Sequence, residues 1–301
     1  MDEKAMGFNE SQLKRTGFAE AFTPELKSQM ERSVPEIQHS FKKEYEGDKV
    51  EAVLHLKKSL TSDYYFLNKF DLQLQKDGQA ETVRQTFFLT RNISSDANGG
   101  EQKQKAENKY TLKEAYNLLD GRPVFKKLVD SEGYEYQAWV KMNLQNTFPS
   151  GNHELKHYHT NYGFDLETVL AKYAIKELSH TQYKQSLMES LQRGNLQKAT
   201  FVGASGKEEQ LYITPVITLK ALLVYDENKQ RIPTDVLVEK NYIRHQQKEE
   251  LKQQQGPQQT VGQNETQAVT AKQEIIQMPK ASQKQEQGAP KKKQSRKQKI
   301  N

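Results

Sequence analysis

Thr111-Leu-Lys-Glu-Ala-Tyr-Asn-Leu-Leu-Asp-Gly-Arg-Pro-Val124, followed by Gly133-Tyr-Glu-Tyr-Gln-Ala-Trp-Val-Lys-Met-Asn-Leu144, is the stretch that decides the fold. Its first half predicts a short helix. Leu112, Ala115, Tyr116 and Leu119 recur at the spacing of one helical face. Thr111 and Glu114 have the spacing of a capping box, in which each side chain meets the other residue's backbone N–H. Gly121 supplies the left-handed residue that closes the last turn. The second half predicts a two-sided strand. Tyr134, Tyr136, Ala138, Val140, Met142 and Leu144 share one face, and Glu135, Gln137, Trp139, Lys141 and Asn143 share the other.

Working outward, the same unit recurs on both sides. Gly121 precedes Gly133 by 12 positions, and Gly194 precedes Gly206 by 12. In an earlier copy Ser33 stands where the helix-ending glycine would be, 14 positions before Gly47. Five residues past the second glycine the three copies read Ala52-Val53-Leu54, Ala138-Trp139-Val140 and Leu211-Tyr212-Ile213, each in–out–in on a strand. Met30, Leu118 and Leu191 each lie three residues before the Ser or Gly. The pattern reads as a structural repeat; the alternative is that any helix–turn–strand with glycine at both turns aligns this well.

The fold class is therefore α+β, with two to three repeated helix–antiparallel-meander units followed by a disordered basic tail. Residues 1–92 form the first unit. Residues 1–10 lack periodicity and are expected to fray, with a short helix over Leu13–Phe22. Thr23-Pro24-Glu25 starts a second helix carrying Leu26, Met30 and Val34. Strands follow at Val50–Leu56, at Phe66–Gln75 with Phe66, Phe70, Leu72 and Leu74 on one side, and at Val83–Leu89. Residues 93–109, poor in apolar side chains and holding Gly99-Gly100, form a linker. Residues 110–233 hold the second and third units. Their later elements are a strand at Leu155–His159, a helix capped by Asp165, a helix from near Ser179 to Gly194, and strands at Ala199–Val202, Gln210–Val216 and Leu219–Tyr225. A polar helix is expected over 234–255 and a disordered Gln/Lys-rich tail over 256–301.

Composition narrows the functional classes. The chain has 301 residues, 34% hydrophobic and 28% charged. There is no Cys, which removes disulfides, thiolate metal sites and a cysteine nucleophile. The acidic start and the lack of an apolar run of about 18 residues predict a cytoplasmic protein without a membrane segment. The charge is unevenly placed. Residues 1–255 carry 36 Lys and Arg against 36 Asp and Glu, whereas residues 256–301 carry nine cations against three carboxylates. The whole excess of +6 thus lies in the tail.

Chemistry-bearing motifs are few. His153, His157 and His159 would share one strand face, but residues four apart on a strand are roughly 13 Å apart. His157 and His159 could share an ion only with a third ligand from elsewhere, so no metal and no cofactor is expected. No Gly-x-Ser-x-Gly elbow or phosphate-cradling Gly-x-x-x-x-Gly-Lys loop occurs, and no catalytic residue is assigned. Arg122, beside the helix-ending Gly121, is expected to be solvated or to bond the last carbonyls. The tail stretch Lys291-Lys-Lys-Gln-Ser-Arg-Lys-Gln-Lys299 gathers six cations in nine positions. Lys291, Lys292, Lys293, Arg296, Lys297 and Lys299 are the candidates for contact with DNA or RNA phosphates, which releases counterions without a fixed geometry. In the body, Trp139 and Tyr212 are the candidate partner-binding residues, because an outward aromatic beside Gln137 and Lys141 can stack on a base or anchor a protein. Burial of that face under another sheet or helix is the alternative.

Leu118-Leu-Asp-Gly-Arg-Pro-Val124, Tyr136-Gln-Ala-Trp-Val140, His159-Thr-Asn-Tyr-Gly-Phe-Asp-Leu166 and Val224-Tyr-Asp-Glu-Asn-Lys229 resemble a domain-of-unknown-function family of proteins encoded on conjugative and other mobile elements of Bacteroidetes-type bacteria. The resemblance covers about residues 11–233. It implies a role near mobile DNA and supplies no catalytic residue. Together these readings predict a non-enzymatic accessory protein of a mobile genetic element. It would bind nucleic acid or a DNA-processing partner, with the tail adding non-specific phosphate contact. The other readings are a protein-interaction module or inhibitor acting on a host protein, and an enzyme with no readable motif.

Overall fold

The computed structural model describes residues 2–89, 110–130 and 134–244. The chain is α+β, and its three antiparallel sheets follow one another along the sequence, each preceded by helix.

The first unit opens with α1 (Glu3–Thr16), where fraying was expected. Asp2 caps this helix by accepting the Ala5 N–H at 2.7 Å. Its buried row is Ala5, Asn9 and Leu13. The polar member hides the helical period, yet it is satisfied inside: Asn9 Oδ1 accepts the Tyr65 N–H at 2.9 Å. A single 3-10 turn at Ala19–Ala21 takes the place of the expected helix end. Then α2 (Pro24–Glu31) starts as expected, with Thr23 accepting the Leu26 N–H.

The strands β1 (Glu36–Tyr45), β2 (Asp48–Lys58), β3 (Tyr65–Gln75) and β4 (Thr82–Phe88) form a four-stranded meander in the order β1-β2-β3-β4. Sequence reading missed β1 because His39 occupies an inward position between Ile37 and Phe41. Phe66 was placed on the core side and is 40% exposed instead. His55 pairs with Lys69 and Leu56 with Leu67, so Asn68 is an extra residue. Such a bulge reverses the facing of everything beyond it, which turns Tyr65 and Leu67 inward.

The second unit is α3 (Leu112–Leu119), β5 (Val124–Val129), β6 (Glu135–Thr147) and β7 (His153–His159), in the order β5-β6-β7. The capping box at Thr111 and Glu114 is present. The third unit holds α4 (Leu166–Leu170), capped by Asp165, then α5 (Thr181–Gln192), β8 (Gln197–Val202), β9 (Glu208–Val216) and β10 (Ala221–Tyr225).

The three helix ends are closed identically. Ser33, Gly121 and Gly194 all have positive φ, at 56°, 81° and 79°. Each donates its N–H to Met30, Leu118 or Leu191, and the next residue donates to Gln29, Asn117 or Ser190. That is the Schellman pair of bonds. Ser33 accepts the left-handed conformation at a cost that the two glycines do not bear. The in–out–in triplets also hold for their inward members: Ala52, Leu54, Ala138, Val140, Leu211 and Ile213 are all buried.

Two apolar cores result. The first runs from Leu13 to Met142 and contains Phe70 and Leu72 of the first sheet together with Leu112, Ala115 and Leu118 of α3. The first unit therefore does not bury its apolar face alone, although 93–109 was read as a linker between separate units; that segment lies outside the described residues. The second core runs from Trp139 to Ile243. The middle sheet serves both: Ala138, Val140 and Met142 face the first core, while Trp139, Phe125 and Tyr158 face the second. The tip of the β6–β7 hairpin covers the free edge of β4, where Asn152 Oδ1 accepts the Thr86 N–H at 2.8 Å and Gln85 Oε1 accepts the His153 N–H at 2.7 Å.

The helix expected over 234–255 is a short one, α6 (Thr234–Glu239). Asn241 takes φ 57° and ends it, which sends Tyr242 and Ile243 into the second core, where Ile243 bridges to Tyr173. The remainder of that segment and the whole tail lie outside the described residues. Among the described residues no helix is long and apolar enough to cross a membrane.

Candidate functional site

The expected site residues fall into three places. Lys291, Lys292, Lys293, Arg296, Lys297 and Lys299 lie outside the described residues. Trp139 does point away from its own helix, but it is 5% exposed and sits between Phe125 and Phe164, with ring centroids 5.4 Å away in both cases. The expectation that Trp139 meets a partner is corrected here: the third unit covers its face. Tyr212, at the equivalent position of β9, is half-buried. Its cross-strand neighbours are Lys198 and Tyr225, and the Lys198 ammonium lies 5.2 Å from the Tyr212 ring centroid.

Arg122 is neither solvated nor limited to its own helix end. Its Nε donates to the Gly194 carbonyl at 2.9 Å, its Nη2 donates to Asn117 Oδ1 at 2.6 Å, and it pairs with Asp120. Asn117 donates in turn to the Arg193 carbonyl at 2.7 Å. The carboxy ends of α3 and α5 are thus tied by a partly buried network of hydrogen bonds. Its role is to hold the second unit against the third.

Two histidine groupings bring titratable side chains together. On the outer face of the first sheet, His55 Nε2 lies 2.6 Å from Asp71 Oδ2, and the Thr86 hydroxyl donates to Asp71 Oδ1 at 2.6 Å. Burial opposes ionisation of Asp71, but the hydrogen bonds from Thr86 and His55 outweigh it and hold the carboxyl below its usual range. The carboxylate sits between hydroxyl and imidazole. A nucleophile relay needs the imidazole in the middle, so this arrangement does not activate Thr86. On β7, the Tyr136 hydroxyl lies 2.9 Å from His157 Nδ1, and the Tyr136 and His159 ring centroids are 4.9 Å apart. Burial, and then the neighbouring His159, lower the His157 pKa. Among the described residues no three His, Asp or Glu side chains converge to hold a metal ion. A surface depression of about 350 Å³ on α5 is lined by Thr181, Lys184, Gln185, Met188, Glu189 and Gln192, all from one helix.

The margin of the middle sheet, just beyond Trp139, carries a different arrangement. Lys141 of β6 and Lys156 of β7 are direct cross-strand partners, and among the described residues neither makes a salt bridge or hydrogen bond. Lys141 is half-buried; burial first, and Lys156 second, lower its pKa. Two residues along β7 from Lys156 is Tyr158, whose ring meets that of Tyr162 at 5.0 Å. The Lys220 ammonium is 5.7 Å from the Tyr162 centroid. The nearest carboxylate on that face, Glu154, is held by Asn143 at 2.9 Å and Asn146 at 3.2 Å. Sequence reading saw Lys141 beside Trp139 but had no means of pairing it with Lys156. That pairing depends on the irregularity between Asn143 and Thr147, where β6 loses register with β7.

No protein-family model, curated protein or solved structure matches this chain.

Proposed function

We propose that the protein is a non-enzymatic accessory protein of a mobile genetic element, acting in the cytoplasm. It binds nucleic acid or a DNA-processing partner, and its tail supplies non-specific phosphate contact. One observation carries this reading: a body with balanced charge continues into a tail that holds the whole positive excess, with six cations between Lys291 and Lys299. Such a segment gains affinity from counterion release, so its binding falls steeply with salt. The mobile-element setting comes from the family resemblance of residues 11–233.

The test is anisotropy of labelled mixed-sequence DNA across a salt series. The intact chain is expected to bind at low salt. Changing Lys291, Lys292, Lys293, Arg296, Lys297 and Lys299 to Gln in the full chain is expected to remove most of that affinity. If the intact chain does not bind at low salt, the reading fails.

A second reading, a protein-interaction module or inhibitor acting on a host protein, is favoured by exposed aromatic side chains on the first unit. Phe88 is 58% exposed, and Phe66 contacts Phe8, which contacts Tyr64. Its signature would be a stable complex with a protein at salt concentrations that abolish DNA binding.

A further inference from the structure

We infer that the body carries its own phosphate site for a single-stranded nucleic acid: Lys141 and Lys156 clamp one backbone phosphate, with Tyr162 and Lys220 beside it. This rests on the reading that the protein contacts nucleic acid, and it names where the folded part does so.

The argument starts from cost. Like charges directly opposite on neighbouring strands destabilise a sheet, and the cost grows when one of them is drawn out of water. Lys141 and Lys156 are such a pair. Among the described strand pairs no other sets two lysines directly opposite, and ion pairs such as Lys42 with the directly opposed Glu51 and Lys127 with the diagonal Glu135 show the usual cross-strand solution in this same fold. At the Lys141–Lys156 pair no carboxylate among the described residues makes a contact ion pair. Glu154 is the neighbour on that face; it attracts Lys156 from a distance, but its hydrogen bonds go to Asn143 and Asn146.

An anion between the two ammonium groups relieves the repulsion. Opposed residues on paired strands have Cβ atoms roughly 5 Å apart, so two lysine side chains can converge on one phosphate. A free inorganic ion would use no more than that. The surroundings favour a polymer: Tyr162 is 40% exposed at the same margin, and Lys220 extends the row of cations past it. A tyrosine ring between two cationic positions suits a base next to a phosphate. A duplex hides its base faces, so the fit is to a single strand.

The test uses the full chain, fluorescein-labelled oligo-dT and oligo-rU, and a DNA duplex of equal length, with anisotropy read across a salt series. Lys141→Met keeps the apolar stem and removes the charge. It is expected to weaken binding to both single strands about fivefold and to lower the slope of log K against log salt by about one. Lys156→Glu is expected to weaken binding more than about tenfold, because it places a carboxylate where the phosphate would sit. It should also raise the thermal midpoint by about 1–3 °C, because it turns a repulsive pair into an attractive one. Loss of binding together with a gain in stability separates a binding role from a structural one. The site is overturned if both variants bind single strands as the parent does, or if the loss appears with the duplex alone. An intact chain that binds no strand at low salt sinks the underlying reading as well; an intact chain that binds, with both variants unchanged, sinks this site alone.

Discussion

Trp139 and Tyr212 occupy the same place in the second and third units, one residue outward from an inward Ala or Leu, and their fates differ. Trp139 is closed in by Phe125 and Phe164, whereas Tyr212 keeps part of its surface and shares it with Lys198. The helix ends repeat the lesson. Gly121 and Gly194 have nearly equal φ and the same closing bonds. A Cβ on Gly121 would meet nothing within 4 Å, while one on Gly194 would lie 2.9 Å from the Pro123 carbonyl and 2.9 Å from Val124 Cγ2. Local geometry repeats between the units; the neighbours do not. The third unit is packed onto the second at Trp139, while Tyr212 of the third is left half-buried.

The strongest way to break this comparison is to truncate both aromatics. Trp139→Ala is expected to destabilise by about 3–5 kcal/mol through a cavity in the second core. Tyr212→Ala should cost about 1 kcal/mol. Equal losses in urea denaturation would mean that the two faces are equally buried. The glycines sharpen the same point. Gly194→Ala should cost about 3 kcal/mol or more, because strain and a backbone clash combine. Gly121→Ala should cost about 1–2 kcal/mol from the left-handed conformation alone.

The first unit offers the inverse substitution. Ser33 holds φ 56° without being glycine, so Ser33→Gly is expected to stabilise by about 0.5–1 kcal/mol, read as a rise in midpoint. The smallest effect concerns acid. In the third unit Glu209 accepts the Tyr242 hydroxyl at 2.6 Å and Lys240 at 2.9 Å. The Tyr242 hydrogen bond, and then that from Lys240, hold its carboxyl below the usual range; burial, with Glu209 itself second, pushes Tyr242 up to about 12. A depressed carboxyl contributes stability that is complete above the unfolded value of about 4.3 and is lost as pH falls through the folded one. Glu209→Gln should therefore lower stability at pH 7, where the carboxylate's contribution is complete, and flatten the acid limb, so that variant and parent converge as pH falls below about 4.

What was legible follows the same division. Thr111 with Glu114, the left-handed closures and the alternation through Ala138 and Val140 depend on near neighbours in sequence, and the sequence displays them. Three misses have one cause, a polar residue at an inward or extra position. Asn9 conceals α1, His39 conceals β1, and Asn68 inserts the bulge that turns Phe66 outward. Their partners lie far off in sequence: Asn9 accepts the Tyr65 N–H, and the Asn68 carbonyl accepts the Leu89 N–H. The fate of Trp139 belongs to a further class. Its direction is set by the strand period, but its cover comes from Phe164, across a strand and two turns. The candidate site suffered most, since the opposition of Lys141 and Lys156 exists only once the hairpin has chosen its register.

Because the middle sheet has an apolar wall on either side, the order of synthesis matters. A chain emerging from its amino end can complete the first core once β6 and β7 have paired. At that moment Phe125, Trp139 and Tyr158 face water, and the residues that shield them, from Phe164 onward, have yet to appear. The half-made protein is the adhesive species, and the interval between the emergence of β7 and of β9 is when a chaperone would have most to hold.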